Sequence, residues 1–340
     1  MKKSRFLGVT TALLAAAAMH AQTAFSNTNL VVTASNQTNN QLLVYSPSGT
    51  LLQSVSTQGQ GGASGNAGGI MANGGLVAVV NFGSKSVSLF QRIGNTFHMT
   101  QSIPTVANPV SVAFGNNHLY ILGATKVESH LAFGPFVSPN ADGAASLLKG
   151  DGSAAQVGVV NNELIIAEKS NVIETVGLNS NGAVTGSPTL VQNIPSTVDT
   201  PFGLVTRGDD AYVTIAHSNQ TSLVRNGKIL TITGSGTQNS PCWLTLVGPF
   251  LYSSNSPSMS ISRYAVYGQK IVQDAAVAAM LNGAPTDIAS GNGQLSVIDG
   301  SGSVTHLSTF NMDEDGNLTL VGAVTINGAA NGVAVVSSLF

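Results

Sequence analysis

The stretch NPVSVAFGNNHLYILG, residues 108–123, contains two alternating apolar runs joined by a pair of asparagines. Alternation of apolar and polar side chains is typical of a β-strand, and Asn-Asn readily adopts the positive φ angles that a tight turn between strands needs. The stretch therefore predicts a β-hairpin with PVSVAF as its first strand and HLYIL as its second.

The second strand of this hairpin recurs along the chain. Such a repeat of several short strands, separated by Gly and Asn turns, is typical of the blades of a β-propeller. Turns such as RNGK at residues 225–228 and DEDGN at 313–317 are predicted to join the two outer strands of a blade. Runs similar to the second strand start 40 to 47 residues apart, at Leu30, Leu76, Leu119, Leu164, Ala211, Leu251 and Leu295.

The two ends of the repeat complement each other. The first unit starts at its second strand, at Leu30, and the chain closes on an unpartnered inner-strand pattern, NGVAVV at residues 331–336. Pairing the two would complete one blade and leave no open sheet edge. The predicted fold is therefore all-β: residues 22–340 form one domain, a seven-bladed β-propeller closed by pairing of N- and C-terminal strands. An open β-solenoid is the alternative, and it would not need complementary ends.

Residues 1–21 have the pattern of a bacterial secretory signal peptide. Lys2, Lys3 and Arg5 precede an apolar run at residues 6–18, and small residues follow. The apolar run is short for a membrane span, so an N-terminal anchor is the less favoured alternative. We expect cleavage near Ala21 and a secreted or periplasmic protein without a stable membrane span after processing.

The composition excludes some classes of function. Charged residues make up only 8% of the chain, and its 13 Lys and Arg residues are scattered. Phosphate backbones are bound by clustered basic side chains, so we expect no nucleic acid partner. Cys242 is the only cysteine, which excludes an intramolecular disulfide and a thiolate metal cluster. It lies at an apolar strand start, where a buried unreactive thiol is favoured over a nucleophile.

In a propeller, the loops that leave the second strands and those that enter the inner strands gather on one face, around the central channel. We expect this mouth of the channel to be the binding site, for a small molecule, a carbohydrate or a protein. No cofactor is expected, because no segment has the pattern of a cofactor loop. The residues predicted to bind the ligand there are Asn36, Asn81, Gln156, Lys169, Trp243, Asn255, Asp287 and Asp299.

The inner-strand patterns NPVSVAF, TPFGLVT, SPCWLTL and APTDIAS are each followed by an LY-like strand. In this they resemble the seven-bladed propeller family that includes 6-phosphogluconolactonase and 3-carboxymuconate cyclase, and the related YVTN-type surface propellers. The resemblance covers essentially the whole mature chain. It implies a catalytic His, Glu and Arg near the channel mouth, where a base activates water and a guanidinium holds a carboxylate.

The sequence departs from that catalytic set. Residues 110–111 are Val-Ser where the family often has His, and residues 155–156 are Ala-Gln where it often has Arg and His. His217 stands where the family has Arg, whereas Glu168 matches the family's acidic position. Glu168 and His217, at equivalent positions of neighbouring blades, are therefore the candidate catalytic pair. Ordinary loop and rim roles are the alternative for both.

Two classes of function remain open. The first is an exported, non-catalytic propeller that binds a ligand or partner through the loops around its channel. The second is a lactone hydrolase or muconate-type cyclase with an altered active site. Turnover that is lost when Glu168 or His217 is changed would separate them.

No metal site is predicted. The segment NMDEDGNLTL, residues 311–320, imitates the start of a calcium loop. The twelfth position of that loop should be Glu and is Gly322, so a plain hairpin turn is favoured. Zinc-ligand spacing is absent among the histidines His98, His118, His130 and His306.

Residues 130–153 break the blade pattern, because Pro, Gly and Asp replace regular alternation. We expect an excursion over a blade edge. Phe133 and Phe136 would suit contact with a sugar, peptide or polymer if they were exposed, although packing beneath the loop is the favoured interpretation.

Overall fold

The computed structural model describes residues 29–337, which form a ring of seven antiparallel sheets. The expected signal peptide at residues 1–21 lies outside the described residues and stays a prediction. Within residues 29–337, no helix has the length and apolar character needed to cross a membrane.

Each sheet is one blade, numbered here in chain order. Blade 1 consists of β1 (Leu30–Ala34), β2 (Gln41–Tyr45), β3 (Leu51–Ser56) and the C-terminal strand β29 (Asn331–Val336). Blade 2 consists of β4 (Ile70–Asn73), β5 (Leu76–Asn81), β6 (Ser86–Ile93) and β7 (Thr96–Pro104). Blade 3 consists of β8 (Pro109–Gly115), β9 (His118–Gly123), β10 (Lys126–Phe133), β11 (Phe136–Val137) and β12 (Gly143–Ser146).

The other four blades have four strands each. Blade 4 consists of β13 (Ala154–Val160), β14 (Glu163–Glu168), β15 (Val172–Gly177) and β16 (Thr189–Leu190). Blade 5 consists of β17 (Pro201–Arg207), β18 (Asp210–Ile215), β19 (Gln220–Arg225) and β20 (Lys228–Gly234). Blade 6 consists of β21 (Pro241–Val247), β22 (Phe250–Asn255), β23 (Ser260–Tyr267) and β24 (Lys270–Met280), and blade 7 of β25 (Ala284–Gly291), β26 (Gln294–Ser301), β27 (Val304–Met312) and β28 (Leu318–Asn327).

The repeat read from the sequence is confirmed strand by strand. The second strands of the seven blades are β1, β5, β9, β14, β18, β22 and β26, and each starts within one residue of its predicted position. In the hairpin of β8 and β9, Asn116 and Asn117 have φ angles of 47° and 58°. These positive values explain why two asparagines are found at this turn.

The predicted closure of the ring is also confirmed. Strand β29 pairs antiparallel with β1, with Val333 opposite Thr33 and Val335 opposite Val31. The Thr33 hydroxyl donates a 2.7 Å hydrogen bond to the Gly332 carbonyl across this seam. Because β29 forms the inner strand of blade 1, the sheet that joins the two ends of the chain has the same four-strand order as its neighbours.

The hydrophobic core lies between the blades. Leu164 and Ile166 of blade 4, for example, belong to the same buried cluster as Val127, Ala145 and Leu147 of blade 3. Because both faces of a blade pack against neighbours, a second strand such as β5 is buried at every position. The channel mouth is therefore framed by a rigid ring of sheets.

Blade 3 contains the predicted excursion. Strand β10 pairs with β12 near its start and with β11 at its end, so its tip forms a separate hairpin beyond the sheet. Phe133 and Phe136 lie opposite each other in this hairpin and are 83% and 60% exposed. The favoured interpretation, that they pack beneath a loop, is wrong, because the hairpin extends past the surface that would cover them.

The acidic segment that imitates a calcium loop is a hairpin turn between β27 and β28, as favoured from the sequence. The backbone amide of Gly316 donates to the Asp313 carbonyl over 3.0 Å, and Gly316 has a φ of 77°. The Asp313 carboxylate accepts a 2.8 Å hydrogen bond from the backbone amide of Asn317. The aspartate and the glycine are thus accounted for by turn formation.

Candidate functional site

One connection reaches the centre of the ring. The link between β3 and β4, residues 57–69, is the longest between an outer strand and the next inner strand in the described chain. Its last nine residues, 61–69 with the sequence GGASGNAGG, are here called the central segment. Because each inner strand borders the channel, a connection with residues to spare can extend across the mouth.

Asn66 bonds to inner strands on several sides of the ring. Its Nδ2 donates to the Val110 carbonyl in blade 3 over 2.6 Å, and its Oδ1 accepts a 2.8 Å hydrogen bond from Nδ2 of Asn331 in blade 1. Its backbone carbonyl accepts a 3.0 Å hydrogen bond from Nε1 of Trp243 in blade 6. A residue that contacts blades 1, 3 and 6 at once lies at the centre of the ring. The central segment therefore occupies the channel mouth.

Backbone groups of the central segment bind further inner strands. The Ala67 amide donates to the Ala155 carbonyl in blade 4 over 3.1 Å, and the Val112 amide of blade 3 donates to the Gly68 carbonyl over 3.0 Å. Asn66 itself is only 3% exposed. Buried backbone groups need such partners, so the central segment and the ring satisfy each other's polar atoms.

Five of the eight predicted ligand-binding residues contact the central segment: Gln156 and Asp287 lie against its Gly68, and the other three form the hydrogen bonds that follow. Asn36 Oδ1 accepts hydrogen bonds of 2.7 and 3.0 Å from the backbone amides of residues 62–63. Lys169 Nζ donates to the carbonyl of Gly65, and Trp243 Nε1 donates to the carbonyl of Asn66. The structure thus brings these side chains together at the mouth, around a segment of the chain itself. Their role in ligand binding stays a prediction.

Gln156 and Asp287 bond to neighbouring inner strands. Gln156 Oε1 accepts a 2.6 Å hydrogen bond from the Leu204 amide of blade 5. The Asp287 carboxylate accepts from the amides of Ile288, at 2.9 Å, and Val333, at 3.3 Å. Burial raises the pKa of Asp287 to about 7 despite these donors. Both side chains tie blades together at the channel.

The remaining three predicted residues are fully buried. Asn81 links its blade to blade 1, because its Oδ1 accepts hydrogen bonds from the Thr57 hydroxyl over 2.7 Å and from Asn40 Nδ2 over 2.9 Å. Asn81 Nδ2 donates a 2.8 Å hydrogen bond to the Ser88 hydroxyl, and Asn255 Nδ2 does the same to Ser262 in blade 6. Asp299 lies 2.8 Å from a histidine Nδ1 of the adjacent strand, and burial raises its pKa. The structure does not bring these three side chains to the open mouth.

Glu168 faces the interface between blades 3 and 4. It lies two residues beyond Ile166, on the strand face that packs against blade 3. Glu174 lies opposite Ile166 on that face and accepts a 2.9 Å hydrogen bond from the Leu148 amide. Neither Glu168 oxygen has a hydrogen bond of good geometry, and the side chain is fully buried. Burial, followed by the charge of Glu174, raises the Glu168 pKa to about 7.

His217 follows the second strand of blade 5, β18, and its side chain faces solvent. It belongs to a single 3₁₀ turn, Ala216–Ser218, and its side chain is 62% exposed. Its Nδ1 lies 2.9 Å from the Thr200 hydroxyl and 3.5 Å from an Asp199 carboxylate oxygen. In the described residues it shares no hydrogen bond or ion pair with Glu168, so the candidate catalytic pair is not assembled here.

The Cys242 thiol and the potential metal ligands do not form a reactive site among the described residues. Cys242 is half-buried and packs against the cluster of Trp243, and burial raises its pKa to about 12. Within residues 29–337, no group of three or more His, Cys, Asp or Glu side chains is placed to hold a metal ion. The arrangement at the mouth is one of hydrogen bonding and packing.

The sequence patterns did not point to Asn66 or Glu174. Asn66 lies in a glycine-rich run that has no strand alternation, and Glu174 reads as one polar position of β15. The one available signal for Asn66 was the length of the link from Ser56 to Ile70, which exceeds the other outer-to-inner connections.

Comparison with known proteins identifies the fold. No family model and no curated protein matches the sequence. A candidate 6-phosphogluconolactonase of Bacteroides fragilis has a similar structure, with a TM-score of 0.66 over 92% of this chain and 99% of that one. The chain has the fold of the lactonase-like propellers. The sequence identity is 14%, so the likeness extends to the fold alone.

Two further solved structures are similar to the chain over most of its length. A protein from Lactobacillus plantarum is similar with a TM-score of 0.69 and 14% identity, over 91% of this chain and 99% of that one. A protein of unknown function from Desulfotomaculum acetoxidans gives 0.68 and 12%, over 92% and 100%. The resemblance read from the inner-strand patterns is thus confirmed for the scaffold.

Proposed function

We propose that this chain is an exported, non-catalytic propeller that binds a ligand or partner through its loops. The observation that carries the proposal is the central segment, whose Asn66 takes up hydrogen-bonding groups of blades 1, 3 and 6. A channel mouth filled in this way supports a binding role for loops beyond the mouth. This refines the expectation from the sequence, which put the ligand at the mouth itself.

The positions of the candidate catalytic residues support the same proposal. Lactone opening needs a base within hydrogen-bond reach of the attacking water. Glu168 is fully buried between blades 3 and 4, whereas His217 points into solvent beside Asp199. A lactone in the mouth would first have to displace the central segment.

A lactone hydrolase or cyclase is the second candidate. Two solved structures similar to this chain are candidate 6-phosphogluconolactonases. A glutamate whose pKa is about 7, as in Glu168, is also suited to general-base catalysis near neutral pH.

The test is acid release from sugar lactones and carboxymuconolactones by the purified mature protein. The matched control is the double variant Glu168→Gln, His217→Ala, checked for native circular dichroism and melting. We expect identical rates for both proteins, equal to the spontaneous rate. Turnover by the natural protein that the folded variant loses would overturn the proposal and establish the hydrolase.

Export is tested separately from catalysis. The full chain and a chain lacking residues 2–21 are expressed in a bacterial host, and the periplasmic and secreted fractions are probed. We expect the full chain to appear there with a new N-terminus near residue 22. Retention of the full chain in the cytoplasm, with Met1 uncleaved, would contradict this part of the proposal.

A further inference from the structure

A cavity opens on the face of the ring opposite the channel mouth. Its volume is about 590 Å³, and it lies between blades 2 and 3. The turn between β4 and β5 forms one wall, the turn between β8 and β9 forms the second, and the hairpin tip at Gly134 and Pro135 forms the third. The volume falls within the range of small-molecule sites in proteins.

Part of the cavity lining is apolar. Leu76, Phe114 and Ala132 line it, and Phe114 and Ala132 are partly exposed while they pack against the core between blades 2 and 3. A partly exposed aromatic ring in the lining of a site presents a flat apolar surface. It suits a ligand that has an apolar face of similar shape.

The rim of the cavity carries amide side chains, from Asn73, Gln91 and Asn117. Asn73 and Asn117 are exposed, and neither side chain makes a hydrogen bond within the described residues. The Gln91 Nε2 donates to the Arg92 carbonyl over 3.1 Å, which leaves its Oε1 free to accept. An amide offers a donor and an acceptor side by side, which matches a pair of neighbouring hydroxyl groups.

The lining of the cavity offers no unpaired charge to an ionic ligand. None of the residues that line it is Asp, Glu, Lys or Arg. Its histidine, His118, has Nδ1 2.8 Å from the Asn116 carbonyl and Nε2 2.8 Å from the Asp142 carboxylate, so both nitrogens are engaged. The ligand that complements this lining is neutral, rich in hydroxyl groups and apolar on one face.

Two exposed aromatic rings lie on the hairpin tip, outside the cavity lining. Side chains alternate along a strand, so Ala132 faces the cavity and its neighbour Phe133 faces the other side of the hairpin. Phe133 and its cross-strand partner Phe136 can therefore touch only a ligand that continues past the tip. Phe133 and Phe136 lie next to each other across the hairpin, and contiguous exposed apolar surface is typical of interaction sites.

We propose that the cavity between blades 2 and 3 binds a neutral oligosaccharide, with one sugar ring over Phe114 and the amides of Asn73 and Asn117 on its hydroxyl groups. Further sugar units cross the hairpin tip and contact Phe133 and Phe136. This inference rests on the proposed binding function and names its site and ligand class.

The test is calorimetric titration of the mature protein with neutral gluco-, galacto- and N-acetylglucosamine oligomers of two to six units. The variant Asn117→Gly removes the amide and keeps the positive φ of 58°, and Asn73→Ala removes the second amide. We expect each to weaken binding about tenfold. The matched control is Asn226→Gly, an exposed turn asparagine with a φ of 50° in blade 5, which we expect to bind like the natural protein.

Oligomer length tests the role of the hairpin. Phe133→Ala and Phe136→Ala are expected to weaken binding of hexamers and to leave dimers unchanged. The inference is overturned if no neutral oligomer binds at about 10 mM, or if Asn117→Gly and Asn73→Ala bind like the control. Lactone turnover is measured on the same preparation. Absent turnover with absent sugar binding rejects the ligand class alone, whereas turnover rejects the proposed function.

Discussion

The indole Nε1 of Trp243 donates a 3.0 Å hydrogen bond to the backbone carbonyl of Asn66, across 177 positions of sequence. Trp243 is the inner-strand residue of blade 6 whose ring also meets Phe202 edge-on, with ring centroids 5.2 Å apart. The bond fixes the middle of the central segment to the side of the ring opposite blade 3. The central segment is therefore held in place by bonds to blades on both sides of the ring.

The first prediction concerns this bond. Trp243→Phe removes the donor and leaves the Asn66 carbonyl buried without its partner, so we expect a loss of about 1–3 kcal/mol in the free energy of unfolding. Urea denaturation measures the loss, and hydrogen exchange should show faster exchange in residues 61–69. The exposed Tyr267→Phe, which removes a donor from the surface, is the control. Unchanged exchange in the central segment would contradict this account.

The second prediction concerns the fit of the central segment. A Cβ atom on Gly69 would lie 2.3 Å from Asn331 Oδ1, whereas one on Gly177 would meet nothing closer than 3.5 Å. Gly69→Ala therefore forces the segment or Asn331 to move, and we expect a loss of about 1–3 kcal/mol. Gly177→Ala should change the urea midpoint little. Equal midpoints for the two variants would show that the segment is loosely held.

The third prediction is a pH dependence carried by Glu168. Its pKa is raised to about 7 by burial, so the folded protein holds this proton more tightly than the unfolded chain between pH 4.5 and 7. The contribution of Glu168 to stability therefore falls as pH rises through that window and stays low above it. Glu168→Gln cannot ionise, so the variant should match the natural protein at pH 4.5 and exceed it at pH 8 by on the order of 2 kcal/mol.

Urea unfolding at the two pH values measures the difference, with the exposed Glu314→Gln as the control. The control should show no such pH-dependent gain. A Glu168→Gln variant that is less stable than the natural protein at pH 8 would show that the ionised carboxylate has a favourable partner.

The fourth prediction concerns Cys242. Burial raises its pKa to about 12, so the reactive thiolate is scarce at neutral pH. We expect slow reaction of the native protein with a thiol-specific disulfide reagent, with a rate that rises about tenfold per pH unit between pH 7 and 9. The urea-unfolded protein should react at once. Rapid native labelling at pH 7 would indicate an activated thiol.

The fold could be predicted from the sequence because its signals are local and repeated. Each hairpin, such as the one around Asn116 and Asn117, is indicated by alternating apolar and polar side chains and by turn residues. The same pattern occurs in all seven blades, which strengthens the prediction for each of them. The closure of the ring could be predicted as well. The strand pattern at Leu30 lacks an inner strand and the pattern at residues 331–336 lacks a second strand, so each can pair with the other. In every blade, the strands and turns indicated by the local sequence are the ones that the closed ring contains.

The candidate site could be predicted only in part, because its details depend on long-range contacts. Position along β14 places Glu168 at the mouth end of its strand, but the face to which it points depends on the pleat and on blade 3. The central segment carries no strand pattern at all, so nothing local shows that Asn66 crosses the ring. Its bonds join residues up to 265 positions apart.

The pairing of β29 with β1 has a consequence for the order of events in folding. Strand β1 is made early, and its inner edge has no partner until residues 331–336 are available. Contacts between the two ends of a chain form slowly, because a very large loop has to close. An incomplete chain therefore keeps an unpaired strand edge that can associate with other chains. Pairing of residues 331–336 with β1 is thus the step that removes this open edge and lowers the tendency of the folding chain to associate with others.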